Sequence, residues 1–251
     1  MNAKLKYILL YSLGGLILIV VIGFRAKKLS EKKVAEINID ISHPGGIYLI
    51  DQNEVKSLLL ADQSSQVQGL NIGSLNFRDL EERVETNAFV SNADIYFDVA
   101  GNLVANVSQA KPIARILNPN GQDHYIDISG RLLPLNSHYT PRVALVTFDQ
   151  YPAWKSGLWE DEFGSQLLDL LIFIDKNHFW KAQIAQVMVD TRHELTLMPQ
   201  VTKQMILFGQ STEIESKFKK LEVFYREVAP KKGWNTYNYV NLKYTNQIVC
   251  K

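Results

Sequence analysis

A chain of 251 residues with 46% hydrophobic and 21% charged residues is long and apolar enough to bury a core, which excludes wholesale disorder and allows one or two domains. Its 27 basic and 26 acidic residues leave a net charge of +1, and the basic stripe of a nucleic-acid binder is missing. With Cys250 as its single cysteine the chain forms no intrachain disulfide, and nothing near that thiol in sequence activates it as a nucleophile.

The first element is YILLYSLGGLILIVVIGF, Tyr7 to Phe24, about 18 residues without a charge, enough at about 1.5 Å per residue to cross a hydrocarbon core. It reads as a membrane span. It exceeds the apolar region of a cleaved signal peptide, and GFRAKKLS offers no small-x-small cleavage site. Lys4 and Lys6 precede it while Arg25, Lys27, Lys28, Lys32 and Lys33 follow, so charge alone leaves its orientation open.

After a stalk at 25–33, VAEINIDI alternates Ile37, Ile39 and Ile41 with polar residues and predicts a half-buried strand. Asp51 followed by Glu54 is a capping-box start for a helix ending near Leu60. Asn76 is the candidate cap of a second helix over 77–87, with Phe77, Leu80 and Val84 at helical spacing. VSNADIYFDV and LVANVSQ, joined by AGN, predict a β-hairpin. Strand, helix, helix, strand, strand make one small α/β layer pair over 34–110.

From Lys111 the texture changes to short strands with turn residues between them: PIARIL, Pro119-Asn120-Gly121, HYIDI, Ser129-Gly130, RLLPL and RVALVTF. These predict a meandering antiparallel sheet. One helix is expected across WEDEFGSQLLDLLIFIDKNHFW, where Phe163, Leu167, Leu170, Leu171 and Ile174 share a face and Glu160, Asp161 and Glu162 complement the dipole. Strands AQVMVD, ELTLMP and QMILFG follow. A last helix from Thr212, with Glu215 completing a capping box, carries Ile214, Phe218, Leu221, Tyr225 and Val228 on one stripe. TYNYVNLKYTNQIVC closes the chain as an amphipathic strand with Val240, Leu242 and Tyr244 on one side. Pattern alone leaves open whether that strand lies at a sheet edge or between neighbours.

Catalytic constellations are absent from the sequence: it has no P-loop, no GxGxxG and no GxSxG, and His193-Glu194 lacks the second histidine of HExxH. Histidines 43, 124, 138, 178 and 193 are dispersed, and the paired acids Glu81-Glu82 and Glu213-Glu215 sit near helix starts or on solvated faces. The four tryptophans, 154, 159, 180 and 234, flank helices and read as packing residues.

The run FVSNADIYFDVAGNLVANVSQAKPIARILNPNGQDHYIDISGRLLPL resembles the junction in bacterial cell-division proteins of the FtsQ/DivIB family, where the closing hairpin of a POTRA module runs into a β domain. Lys111-Pro112 marks the crossover, because proline lacks the donor that would continue the first ladder. YIDISGRLLPL is similar to the family's hairpin lID..G.vf, and YNYVNLKYTNQIV to its ending yvDLRY.ng..v. Asn241 stands where many members have Asp, and Asn246-Gln247 departs from the usual small residues.

The resemblance implies an α+β chain: a cytoplasmic N-terminus at 1–6, a single transmembrane helix at 7–24, a stalk at 25–33, a POTRA-like β-α-α-β-β domain at 34–110, and at 111–251 a mostly antiparallel β domain with two helices and a C-terminal strand. It implies a non-enzymatic divisome scaffold without cofactor, metal, nucleic acid or small-molecule substrate. Such a protein would sit in the inner membrane at the septum with its bulk in the periplasm. It would link early division-ring components to FtsB-like and FtsL-like bitopic proteins and so to septal peptidoglycan synthesis. Partner binding by β-augmentation would fall on Tyr239, Asn241, Lys243 and Tyr244, with other membrane division proteins meeting the POTRA-like domain. Two rivals predict differently. A membrane-anchored extracytoplasmic hydrolase would gather two or more of the histidines and carboxylates, with shifted pKa values, in one concave site. A secretion or outer-membrane assembly adaptor would carry tandem POTRA units.

Overall fold

The computed structural model describes residues 13–17, 19, 20, 32–60, 71, 73, 75–119 and 121–251. The segment 1–6, most of the expected span at 7–24, residues 25–31 of the stalk and the middle of the 119–121 turn lie outside the described residues. Within the apolar run, 13–17, 19 and 20 are helical, and among the described residues no helix is long and apolar enough to cross a membrane. The chain divides into two compact units, Met1–His43 with Ile50–Gln109, and Pro44–Leu49 with Ala110–Lys251.

In the first unit, strands β1 (Ile37–Ser42), β2 (Val90–Phe97) and β3 (Leu103–Gln109) form a sheet in the order β1-β3-β2. β2 and β3 are an antiparallel hairpin, and β1 joins β3 in parallel. The connection from β1 is long enough for parallel pairing because it carries helices α1 (Gln52–Leu60) and α2 (Phe77–Glu85). Val55 and Leu59 of α1 and Leu80 and Val84 of α2 are buried with Ile95, Leu103, Ala105 and Val107 of the strands. The capping box forms: Glu54 N–H donates to Asp51 Oδ1 at 2.8 Å and Asp51 N–H to Glu54 Oε2 at 3.0 Å. Asn76 occupies the N-cap of α2 without a side-chain cap bond, and α2 stops at Glu85.

Both margins of this small sheet receive side chains. Ala93 and Ile95 of β2 donate their N–H groups to Glu85 and Glu81 of α2, each at 2.9 Å. On β1, the Ile39 carbonyl accepts from Gln52 Nε2 at 2.9 Å. Glu81 is therefore not simply a solvated acid: the helix carboxylates occupy donors that an edge strand otherwise offers to another chain.

The second unit is built on a nine-stranded sheet, in the order β12-β11-β10-β9-β8-β7-β4-β5-β6. Its strands are β4 (Pro112–Ile116), β5 (His124–Asp127), β6 (Leu132–Leu133), β7 (Ala144–Phe148), β8 (Ile184–Val189), β9 (Leu195–Pro199), β10 (Met205–Gly209), β11 (Tyr239–Asn241) and β12 (Val249–Cys250). Most pairings are antiparallel, but β4 with β7, β7 with β8, and β10 with β11 are parallel, so the sheet is mixed and not the expected meander. Helices supply two of the parallel crossovers: α3 (Glu162–Lys176) and α4 (His178–Gln183) carry the chain from β7 to β8, and α5 (Ile214–Val223) with α6 (Ala229–Lys232) from β10 to β11. Leu167, Leu170 and Leu171 of α3 and Phe218 and Leu221 of α5 are buried in one core with Val146, Val187, Leu197 and Phe208 of the sheet.

Two helix expectations change. The predicted helix through Trp180 is broken at Asn177, whose side chain accepts from the N–H groups of Phe179 and Trp180 and so starts α4 afresh. The Thr212–Glu215 capping box does not form: Glu213 holds the N-cap with a φ of 51° and no side-chain cap bond. Beyond α5 a π-turn at Phe224–Val228 keeps Tyr225 inward in line with Phe218 and Leu221.

Several turn and cap residues owe their identity to local chemistry. Asp127 is 2% exposed and accepts from Ser129 N–H, Ser129 Oγ, Arg131 N–H and Arg131 Nε, closing the DISGR hairpin over Gly130 at φ +84°. Asp161 caps α3 by accepting from Gly164 N–H and also accepts from Trp154 Nε1 at 2.8 Å. Glu160 accepts from the backbone N–H groups of Ser156, Lys155 and Gly157, which hold its carboxyl below the ordinary range.

Candidate partner-binding surface

The closing segment does not run as one strand. β11 ends at Asn241, whose Oδ1 accepts from Lys243 N–H at 2.9 Å, and the chain turns through Thr245 and Asn246 before returning as β12. Asn246 takes a φ of 61°, a conformation asparagine tolerates better than most residues, which accounts for a non-glycine residue in this turn. Val240 and Leu242 are fully buried, while Tyr239 and Tyr244 are 38% and 50% exposed.

β11 is not at the edge. It pairs in parallel with β10 through Met205, Ile206 and Leu207, and antiparallel with β12. Tyr239 and Lys251 exchange both main-chain hydrogen bonds, at 2.9 and 3.1 Å, so Val240 and Cys250 face each other as a non-hydrogen-bonded pair. The Cys250 N–H and C=O therefore point away from β11, along the outer margin of the sheet. Burial pushes the Cys250 thiol up, which keeps it protonated at neutral pH.

Of the residues singled out from sequence, Tyr239 and Asn241 lie on β11, and Lys243 and Tyr244 in the turn that follows. Lys243 Nζ forms an ion pair with Glu194, and its stem lies over Gly209, whose φ is +76°. The sequence reading missed Lys220. From α5 its ammonium donates to the carbonyls of Leu242 and Tyr244, both at 2.7 Å. Nothing in the sequence marks that contact, which spans more than twenty positions.

These two charge-assisted bonds fix the turn that delivers β12, and for a half-exposed ammonium screened by water they together hold it by about 1–2 kcal/mol. Lys220→Met is expected to leave the global unfolding midpoint almost unchanged. It should accelerate amide exchange at Tyr239, Leu242 and Lys251 by about tenfold relative to the sheet interior. Unchanged exchange at those amides, measured by mass spectrometry or NMR, would show that the lysine does not hold the segment.

Lys111 and Pro112 lie at the start of the second unit, where β4 begins at Pro112. Lys111 Nζ reaches Asp175 Oδ2, and Lys181 Nζ reaches Asp175 Oδ1 at 2.6 Å. Burial pushes the Asp175 carboxyl up, but the hydrogen bonds and charges of the two ammonium groups outweigh it and hold the group below the ordinary range.

Cavities lie in the second unit. One of about 520 Å³ brings His193 to Asp161 and Glu162, but the imidazole stacks on Phe163 at 4.1 Å and Asp161 is engaged as a helix cap. A second, of about 380 Å³, is an aromatic groove of Phe179, Trp180, Tyr225 and Trp234 without a histidine. Among the described residues no group of three or more His, Cys, Asp or Glu is placed to hold a metal ion.

Comparison with known proteins assigns both units. Residues 32–108 match the POTRA-like domain, and residues 111–251 match the family described as FtsQ/DivIB, C-terminal related. No curated protein matches the chain. The second match alone covers more than half of the 251 residues, and it follows the POTRA-like match along the chain. The chain belongs to the FtsQ/DivIB family, and with that membership has a role in cell division exercised through protein–protein contacts at the division-site membrane.

Proposed function

We propose that this chain is a non-enzymatic scaffold of the division machinery that captures a partner strand on β12. In this reading residues 7–24 span the inner membrane once, residues 1–6 are cytoplasmic, and the units at 34–110 and 111–251 lie in the periplasm. The partners are FtsB-like and FtsL-like bitopic proteins, through which the chain links early ring components to septal peptidoglycan synthesis.

The observation that carries this reading is the contrast between the margins of the two sheets. On β2 the donors of Ala93 and Ile95 are taken up by Glu85 and Glu81, whereas β12 closes its sheet with the Cys250 N–H and C=O directed outward. Beside that margin, Tyr239, Tyr244 and Val249 are exposed aromatic and apolar side chains that an added strand can cover. A strand laid there gains main-chain bonds that tolerate side-chain variation. Replacement of the family's Asp by Asn241 therefore leaves the mode of binding intact.

The test is co-purification from native membranes. The full chain is expected to retain small bitopic coiled-coil division proteins, and a chain truncated after Asn241 to lose them. Retention of the same proteins by both chains would place the partner site elsewhere.

A further inference from the structure

We infer that the tip of the β2–β3 hairpin is a membrane-docking element that rests the POTRA-like unit on an anionic lipid surface. The inference depends on the reading of residues 7–24 as a span, and the experiment below separates the two.

The hairpin turns through Asp98, Val99, Ala100, Gly101 and Asn102. Asp98 and Asn102 close it, with Asp98 N–H donating to the Asn102 carbonyl at 3.0 Å, and Gly101 takes a φ of +98°. Backbone hydrogen bonds from Asn102 and Gly101, and the Asn102 side chain, hold the Asp98 carboxyl below its ordinary range. That carboxylate is engaged within the turn, accepting from Gly101 N–H, Asn102 N–H and Asn102 Nδ2 at 2.7–2.8 Å. The outermost residues are both apolar: Val99 is 96% exposed, far above the 42% of Tyr96 on the adjoining strand, and Ala100 is exposed beside it. A fully exposed valine at the apex of a turn packs against nothing in its own unit.

The chain path gives this tip its partner. β1 runs parallel to β3, so the start of β1 and the hairpin tip lie at one end of the sheet. Ala35 N–H donates to the Gly101 carbonyl at 3.2 Å, and the Lys33 carbonyl lies 3.9 Å from where a Gly101 side chain would start. Only residues 25–32 separate Lys33 from Phe24, a reach of at most about 32 Å. The tip is thus tethered within a short distance of the bilayer surface, and a tether of this length gives an effective concentration in the millimolar range, at which a weak contact suffices.

Charge supports the same partner. Lys32 and Lys33 are exposed beside the tip, opposed locally by the exposed Glu36. The intervening sequence adds Arg25, Lys27 and Lys28 against Glu31. Exposed lysines beside an apolar apex, on a chain segment of net positive charge, are what anionic headgroups over an acyl boundary attract.

The test uses the full chain in nanodiscs of mixed phosphatidylcholine and phosphatidylglycerol, in a Cys250→Ser background, with an environment-sensitive fluorophore at Val99→Cys, Asn92→Cys or Leu16→Cys. Asn92 is exposed on the same strand, about 20 Å from the tip. Loss of emission with a shallow nitroxide lipid is expected for the Val99 label and not for the Asn92 label, with deep quenching at Leu16. Deep quenching at Leu16 with a Val99 label as aqueous as that at Asn92 would overturn the docking proposal alone, leaving the tip to a protein partner. A Leu16 label not quenched from the bilayer interior would remove the span, and the proposal with it.

Discussion

A chain carrying Cys250→Pro is expected to fold as the parent does and to bind its division partner about a hundredfold more weakly, a loss near 2–3 kcal/mol. The two halves of that expectation have separate causes. Within the sheet, Cys250 faces Val240 as a non-hydrogen-bonded pair, so its N–H takes no part in the β11–β12 ladder. Proline at an edge position with its nitrogen turned outward is tolerated, and stability should move by no more than about 0.5 kcal/mol. On the outer margin, proline removes the donor that an incoming strand needs and sets its ring in that strand's path, leaving a partner carbonyl desolvated and unpaired. Cys250→Val keeps the N–H and a similar half-buried volume and is the control: it should bind as the parent does. Partner affinity by titration calorimetry with an unfolding curve for each variant decides the matter. Equal affinity in Cys250→Pro and parent would exclude strand addition at β12.

Asp175→Ala is expected to destabilise the second unit through charge. The Asp175 side chain is 2% exposed and bridges Lys111, ahead of β4, to Lys181 on α4. Its removal leaves two ammonium groups facing each other. Loss of one partner of a buried ion pair costs about 3–5 kcal/mol, but the lysine side chains retain 27% and 40% exposure and recover part of their hydration, so a loss of about 2 kcal/mol is expected. The pH dependence follows from the direction of the carboxyl's shift. A folded-state value held below the unfolded one stabilises fully above the unfolded value, near 3.9, and that contribution disappears as pH falls through the folded value. The gap in unfolding free energy between parent and Asp175→Ala should therefore be constant from neutral pH down to about 5 and close under more acid conditions. A gap that persists undiminished in strong acid would assign the loss to packing and not to charge.

Local elements were legible because their causes are local. The Asp51–Glu54 box, the alternation through Ile95 and Ile41, the turn at Gly130 and the apolar face of α3 are each set by residues within a few positions. They depend on backbone donors at a helix start or on the fixed angular step of a helix or strand. The same reasoning failed at Asn177. An apolar stripe continues across a helix break when the next helix buries the same side, and the break itself is a hydrogen-bonding event at one side chain. It failed again along 239–249, where Val240 and Leu242 keep the period of two although the strand ends between them.

The sequence by itself determined the class of the chain: a POTRA-like unit, a largely β unit after Lys111-Pro112, their order, and the family they belong to. Tertiary structure alone decided the neighbours. A period of two says which face of a strand is buried and nothing about which strand lies beside it, so the parallel pairs β4–β7 and β10–β11 appear only once the helical crossovers are packed. The carboxylates of Glu81 and Glu85 on β2, the ammonium of Lys220 on the last turn and the outward N–H of Cys250 are all consequences of that packing. Each joins or frees main-chain groups that the sequence leaves equivalent at every position.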